Sequence, residues 1–359
     1  MLIVRSPVRI SFAGGGTDLP AYYEQFGGAV LSVAINKYFY TILKKRTDGR
    51  VQIISSDLRI FETWQDIAAM DIEGTGLEIP VGVLKDLGCE ISVDLFLASE
   101  IPPGTGLGSS ASVCVNVLKT ISSYVHLSLS RHELAERAFH VARNVLRHHV
   151  GKQDEYAAAF GGFNFMVFER DGTARVIPLE LSSDVLNQLQ ESLMLFFTGA
   201  AHSSWTILKE QENSTRARHS PSVQALHNVR ALASQMSDAL QAGDLRRFGV
   251  LLDEVWQSKK QVSNKISSPR IDYLYGLAKR HGALGGKITG AGGGGFLLVF
   301  CERAHQAKLR EAMSAEGVRE MTFAFDFQGA QLLVNDPFID GDERTASRWT
   351  FVPNPMAAQ

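Results

Sequence analysis

Over the first 60 residues apolar and polar positions alternate, and this predicts strands at residues 2–4, 8–12, 29–35, 39–44 and 50–55. The runs Tyr40-Thr-Ile-Leu-Lys-Lys45 and Val51-Gln-Ile-Ile-Ser55 read as a half-solvated antiparallel pair, with Thr47-Asp-Gly49 as the hairpin turn between them. Residues 91–99 alternate again, and a glycine-broken turn then leads into apolar spacing that predicts a helix over 109–125. A second helix is predicted over 131–147, and residues 163–168 form a strand in a strand-turn-strand unit ending near Leu179. From residue 192 the period changes from strand to helix, with helices over 223–242, 245–258 and 270–280. A buried strand at 296–300, a helix over 304–316 and a final strand pair follow. The pattern predicts an α+β protein of two domains, 1–185 and 186–340, with 341–359 as a peripheral tail.

Three glycine clusters interrupt this pattern. Ile101-Pro-Pro-Gly-Thr-Gly-Leu-Gly-Ser-Ser-Ala-Ser112 runs directly into a helix, where free backbone N–H groups and two hydroxyls suit a nucleotide phosphate. Its prolines stiffen the entry, Gly104, Gly106 and Gly108 permit close backbone approach, and Leu107 plugs the turn into the core. The same letters also suit a serine-capped helix after a proline-rich turn. They match neither the Gly-Lys-Ser/Thr ending of a P-loop nor a dinucleotide fingerprint. The other clusters are Ala13-Gly-Gly-Gly-Thr-Asp18 and Lys287-Ile-Thr-Gly-Ala-Gly-Gly-Gly-Gly295, the latter costly in backbone entropy unless another segment or a ligand approaches closely.

Charged residues beside these loops carry the candidate chemistry. Arg9 lies in an otherwise apolar strand, Asp18 follows three glycines, and Lys152 and Asp154 precede a Gly-Gly turn. Phosphoryl transfer needs a carboxylate aimed at the attacking hydroxyl and cations on the transferred group, which Asp154 with Lys152 or Arg9 would supply. Each has a plainer alternative: Asp18 and Asp154 as helix caps, Arg9 in a structural ion pair. The histidines, including His148-His149, have no carboxylate or cysteine at metal-ligand spacing.

Composition narrows the classes further. A net charge of −2 without a basic block disfavours a nucleic-acid partner. Cys89, Cys114 and Cys301 are odd in number and far apart, which predicts reduced, buried thiols. No apolar run reaches membrane-spanning length and the first residues lack a signal-peptide pattern, so a cytoplasmic protein without a membrane partner is expected. Homo-oligomerisation stays open.

With these motifs in order, the chain resembles the GHMP kinase superfamily, which includes galactokinase, homoserine kinase, mevalonate kinase and phosphomevalonate kinase. Within it, Phe12-Ala-Gly-Gly-Gly-Thr-Asp-Leu-Pro20, Gly27-Gly28 and Gly151-Lys-Gln-Asp-Glu-Tyr-Ala-Ala-Ala-Phe-Gly-Gly162 look most like the D-glycero-D-manno-heptose 7-phosphate kinases. An octose 8-phosphate kinase would share the signature, and a non-catalytic sugar-phosphate-binding protein of this fold is a further alternative. The resemblance implies an N-terminal ribosomal-protein-S5-like domain and a C-terminal ferredoxin-like α/β sandwich, with ATP, Mg²⁺ and a sugar phosphate between them. It implies that Pro103, Gly104, Gly106, Leu107, Gly108, Ser109, Ser110 and Ala111 wrap the ATP phosphates, with Ser110 also a Mg²⁺ ligand. Asp154, Arg9 and Lys152 would be catalytic, and Gly16, Thr17, Asp18, His202, Gly292 and Gly293 would meet the acceptor. Two departures stand out. Val141-Ala-Arg-Asn144 has no carboxylate where relatives carry glutamates, one of them often a Mg²⁺ ligand, and His202 stands where relatives tend to have arginine.

Overall fold

The computed structural model describes residues 1–199, 204–216 and 221–336. The N-terminal half runs β1 (Leu2–Ala13), α1 (Pro20–Phe26), β2 (Gly28–Lys45), β3 (Val51–Ser55), β4 (Ile60–Trp64), α2 (Glu78–Leu87) and β5 (Val93–Ser99). It continues with α3 (Ser109–Tyr124), α4 (Arg131–His140), α5 (Gln153–Phe160), β6 (Phe163–Phe168) and β7 (Ala174–Pro178). The C-terminal half comprises α6 (Ser183–Ser192), β8 (Leu193–Phe197), α7 (Ser204–Arg216), α8 (Pro221–Gln241), α9 (Leu245–Lys260) and α10 (Pro269–Arg280). After these come β9 (Ala283–Ile288), β10 (Phe296–Cys301), α11 (Arg303–Ala315), β11 (Arg319–Glu320) and β12 (Gln331–Asn335).

The eight-stranded sheet has the order β12-β1-β2-β5-β3-β4, with β6 and β7 branching from β2. The pairs of short strands expected at 2–4 with 8–12 and at 29–35 with 39–44 are two long ones, β1 and β2, whose register shifts between Pro7 and Val8. Proline has no N–H for the ladder, so the pairing slips there instead of ending.

The expected hairpin at 47–49 does not form. β5 lies between β2 and β3, antiparallel to the first and parallel to the second. Alternation reveals which face of a strand is buried, not which strand it pairs with. Here the Arg46 guanidinium bonds Asp94 and Asp48 and draws the turn onto β5.

The second sheet is antiparallel in the order β11-β8-β10-β9. β10 is buried throughout: Phe296, Leu298 and Phe300 face the core shared with the first sheet, and Leu297, Val299 and Cys301 face α10 and α11. That shared core also takes Val8, Ile10 and Phe12 from β1 with Phe248 and Leu252 from α9, so the two sheet layers close on one apolar seam. Beyond β11 the chain returns to the first sheet, where β12 pairs with β1. Residues 331–335 of the expected second region, 186–340, thus lie in the first sheet. Cys114 and Cys301 are buried, Cys89 is half-buried, and all three are free thiols. Among the described residues no helix is long and apolar enough to cross a membrane.

The helix expected to run to residue 147 ends as an α-helix at His140 and continues as a π-helical turn, Val141–Val145. Such turns widen the helix and re-aim its side chains. This one turns Ala142 toward the cavity described next.

Candidate active site

The 102–112 segment crosses from β5 to α3 and brings its glycines against the second glycine loop. At Gly106 (φ +80°) a Cβ would stand 2.5 Å from the Thr289 carbonyl oxygen, and at Gly290 one would stand 2.6 Å from the Gly106 Cα. Only paired glycines let the two backbones approach so closely. Gly108 is left-handed (φ +76°) and is the N-cap of α3, with no side chain capping the helix. By contrast α4 closes its N-terminus with a full Ser130–Glu133 capping box. The first N–H groups of α3 therefore open into a cavity lined by Gly104, Gly106, Gly108, Ser109, Ser110 and Ala111. Pro103 lies off this cavity, in an adjoining apolar one that shares Ser109, Ser110 and Ile79 with it. Leu107 is buried in the core as expected, and its carbonyl accepts the Arg9 backbone N–H at 2.9 Å.

Arg9 and Asp154 meet on the cavity wall. Arg9 donates Nε to Asp154 Oδ1 at 2.7 Å and Nη2 to Oδ2 at 2.6 Å, and Nη1 to the Gly106 carbonyl at 2.6 Å. Asp154 sits in the first turn of α5 without capping it, because its carboxylate is taken by the guanidinium. Asp18 does not cap the helix that follows it: the N-cap of α1 is Leu19, with no side-chain bond. Its carboxylate instead accepts from the N–H of Gly16 at 2.8 Å and that of Gln153 at 3.2 Å. Burial, reinforced by the charge of Asp154, pushes its pKa up.

Four further expected members of the site lie elsewhere. Lys152 points away, its ammonium on Glu136 at 2.7 Å and on the Gly172 carbonyl at 2.7 Å. The alternation of Lys152 with Asp154 does not put them on one side, since Lys152 is the N-cap residue and the chain turns into α5 there. Thr17 is fully buried, and its hydroxyl is used by the Gly14 and Ala29 carbonyls. Gly292 and Gly293 pack on Ile266, the latter through a backbone bond of 2.8 Å, so the loop faces the cavity with Gly290 and Ala291 instead. Gly16 does line the cavity, and His202 lies outside the described residues.

Sequence reasoning missed two site groups. Lys259, at the end of α9, reaches the cavity from the second sheet layer and donates to the Gly290 carbonyl. It is 6% exposed, and burial with the Arg9 charge pulls its pKa down to about 8. Its Lys-Lys setting in an amphipathic helix reads as a solvated end, so only the fold reveals it. Glu155 also lines the cavity, and burial, then the adjacent Asp154, pushes its carboxyl well above the usual range. The cavity therefore combines an uncapped helix N-terminus, a guanidinium-held carboxylate, a buried ammonium and a polar recess around Asp18.

The comparisons agree with this architecture. The family model for the GHMP kinases N terminal domain matches residues 78–162, and that for GHMP kinases C terminal matches 236–319. A D-glycero-alpha-D-manno-heptose 7-phosphate kinase of Campylobacter jejuni is 31% identical over 91% of this chain and 97% of its own length. The crystal structure of a D-glycero-D-manno-heptose 1-phosphate kinase from Bacteroides thetaiotaomicron superposes with a TM-score of 0.79 at 27% identity, covering 94% of this chain and 100% of that one. Lactococcus lactis galactokinase in complex with galactose shares the fold with a TM-score of 0.72 at 20% identity, over 92% of this chain and 95% of that one.

Proposed function

The chain belongs to the GHMP kinase family as an ATP-dependent sugar kinase, and from that premise we propose that it phosphorylates the anomeric hydroxyl of D-glycero-D-manno-heptose 7-phosphate to give the 1,7-bisphosphate. The observation that carries this reading is the Arg9–Asp154 pair, set between the free N-terminus of α3 and the recess of Asp18. With the domains divided near residue 185, the reading puts the cleft between the two halves, and Lys259, Gly290 and Ala291 come from the second.

The 104–111 backbone and the Ser109 and Ser110 hydroxyls bind the ATP phosphates, and the adjoining apolar cavity, walled by Leu77, Ile79, Leu97 and Pro103, takes the base. Asp18 and the Gly16 backbone orient the sugar hydroxyls. The anomeric oxygen attacks the γ-phosphorus, its proton passes to the Asp154 carboxylate, and the bond from γ-phosphorus to the leaving ADP oxygen breaks. Arg9 holds that carboxylate in one orientation. Lys259 replaces Lys152 as the second cation near the transferred phosphoryl. His202 remains our assignment for the acceptor's remote phosphate.

A divalent cation fits the residues present. Ser110 is exposed in the first turn of α3, and Glu155 lines the same cavity and has a buried carboxylate oxygen without a hydrogen-bond partner. Mg²⁺ bound there supplies charge neutralisation on the ATP phosphates.

ATP consumption with a panel of sugars and sugar phosphates tests the reading. Heptose 7-phosphate is expected to give the highest kcat/KM, well above free heptose and galactose. Equal values for free and phosphorylated heptose would contradict the substrate assignment. Binding without turnover of any sugar would favour the non-catalytic alternative.

A further inference from the structure

Glu155 is the one carboxylate lining the cavity that keeps a buried oxygen without a hydrogen-bond partner among the described residues. Asp154 is held by Arg9, and Asp18 by backbone and amide donors. Glu155 is 2% exposed, yet its Oε2 has no hydrogen-bond partner. A buried carboxyl oxygen in that state is destabilising unless a bound group satisfies it. Its charged neighbours are Asp154, Asp18 and Arg9, and the two carboxylates outweigh the one guanidinium, which favours a cation.

Its position is set by three elements. Ser110 and Cys114 both line the cavity and stand one helical turn apart on the same face of α3. Glu155 lines the same cavity from α5, which packs against α3. In the same cavity the π-helical turn presents only the methyl of Ala142, while Asn144 is exposed and does not line the cavity. The turn that follows α4 thus leaves a space and no carboxylate, and Glu155 lines that space from α5.

We infer that Glu155 is a ligand of the divalent cation that accompanies ATP, completing with Ser110 a metal site at the foot of α3. Mg²⁺ bound with a nucleotide needs only one or two protein carboxylates, because phosphate oxygens and waters fill the remaining positions. The proposal rests on the nucleotide reading given above and goes beyond it in naming the residue that replaces the carboxylate absent from 141–144.

The test is the affinity of the full-length protein for Mn²⁺, read by electron paramagnetic resonance with a non-hydrolysable ATP analogue bound. Glu155→Gln keeps shape and burial and should weaken Mn²⁺ binding on the order of tenfold or more. Its affinity for the analogue in EDTA should be unchanged. Restoring a carboxylate from the π-helical turn, in the double variant Ala142→Glu with Glu155→Gln, should recover most of the Mn²⁺ affinity. A folded Glu155→Gln protein with wild-type Mn²⁺ affinity overturns the inference and leaves the kinase reading intact. Failure of the wild-type protein to bind the analogue overturns both. A crystal of the unsubstituted protein with Mn²⁺ and the analogue gives the same answer without a variant. The anomalous peak should contact a Glu155 oxygen, and a peak bonded to Ser110 but remote from Glu155 overturns the proposal.

Discussion

Arg9 and Asp154, 145 residues apart in sequence, are joined by two parallel hydrogen bonds of 2.7 and 2.6 Å, and the same guanidinium reaches the Gly106 carbonyl at 2.6 Å. One side chain thereby fixes the carboxylate proposed to meet the acceptor relative to the loop proposed to meet the nucleotide. Bidentate geometry of this kind sets orientation as well as energy.

Asp154→Asn removes the proposed proton acceptor while keeping the volume. We expect kcat to fall about 10²- to 10⁴-fold with nucleotide affinity unchanged, as measured by steady-state kinetics beside an equilibrium titration. Near-wild-type turnover would remove Asp154 from the chemistry.

Arg9→Lys keeps the charge but not the fork. A lysine ammonium is a compact point charge and does not hold both carboxylate oxygens and the Gly106 carbonyl at once. Losing one charge-assisted bond, worth about 1.5–3 kcal/mol, should lower kcat roughly 10- to 100-fold and raise KM for ATP as the loop loosens. Unchanged kcat and KM would mean that the pair is structural.

Lys152 and Lys259 should separate cleanly. Lys152→Met leaves Glu136 and the Gly172 carbonyl short of a donor, so we expect a stability loss of about 1–3 kcal/mol with kcat preserved in the folded protein. Lys259→Met should behave oppositely, with a large fall in kcat/KM and little loss in melting temperature, because it removes a buried ammonium. Thermal melts and kinetics on both variants decide the matter.

The pH dependence follows from Lys259, whose pKa falls from 10.5 to about 8 through burial and the Arg9 charge, opposed by Asp18 and Asp154. Below that value the ammonium is charged and attracts the phosphoryl group, and above it the amine is neutral. kcat/KM should therefore break downward near pH 8, and Lys259→Met should lack the break. The stability effect has the reverse sign: between about pH 8 and 10 the unfolded chain binds more protons, so this residue's contribution improves as pH rises.

Much of this was legible in the sequence because backbone geometry writes itself in glycine. The loops at 13–18, 102–112 and 287–295 each marked a place where chains approach, and two of them pack together at Gly106 and Gly290. Arg9 in an apolar strand and Asp154 beside a glycine turn were visible for the same reason. The order of β2, β5 and β3 was not, since a parallel strand inserted between two neighbours leaves their alternation intact. Lys152 and Lys259 could not be sorted by sequence either. Which lysine faces the cavity depends on the turn into α5 and on the packing of α9 against the first layer.

The reaction itself is tested most directly by locating the new phosphate with phosphorus NMR, after incubation with ATP and either heptose 7-phosphate or an octose 8-phosphate. The account predicts a single new phosphate on the anomeric carbon of the heptose, coupled to the anomeric proton, with heptose 7-phosphate turned over faster. A product phosphorylated at any other carbon would contradict it, even with ATP fully consumed.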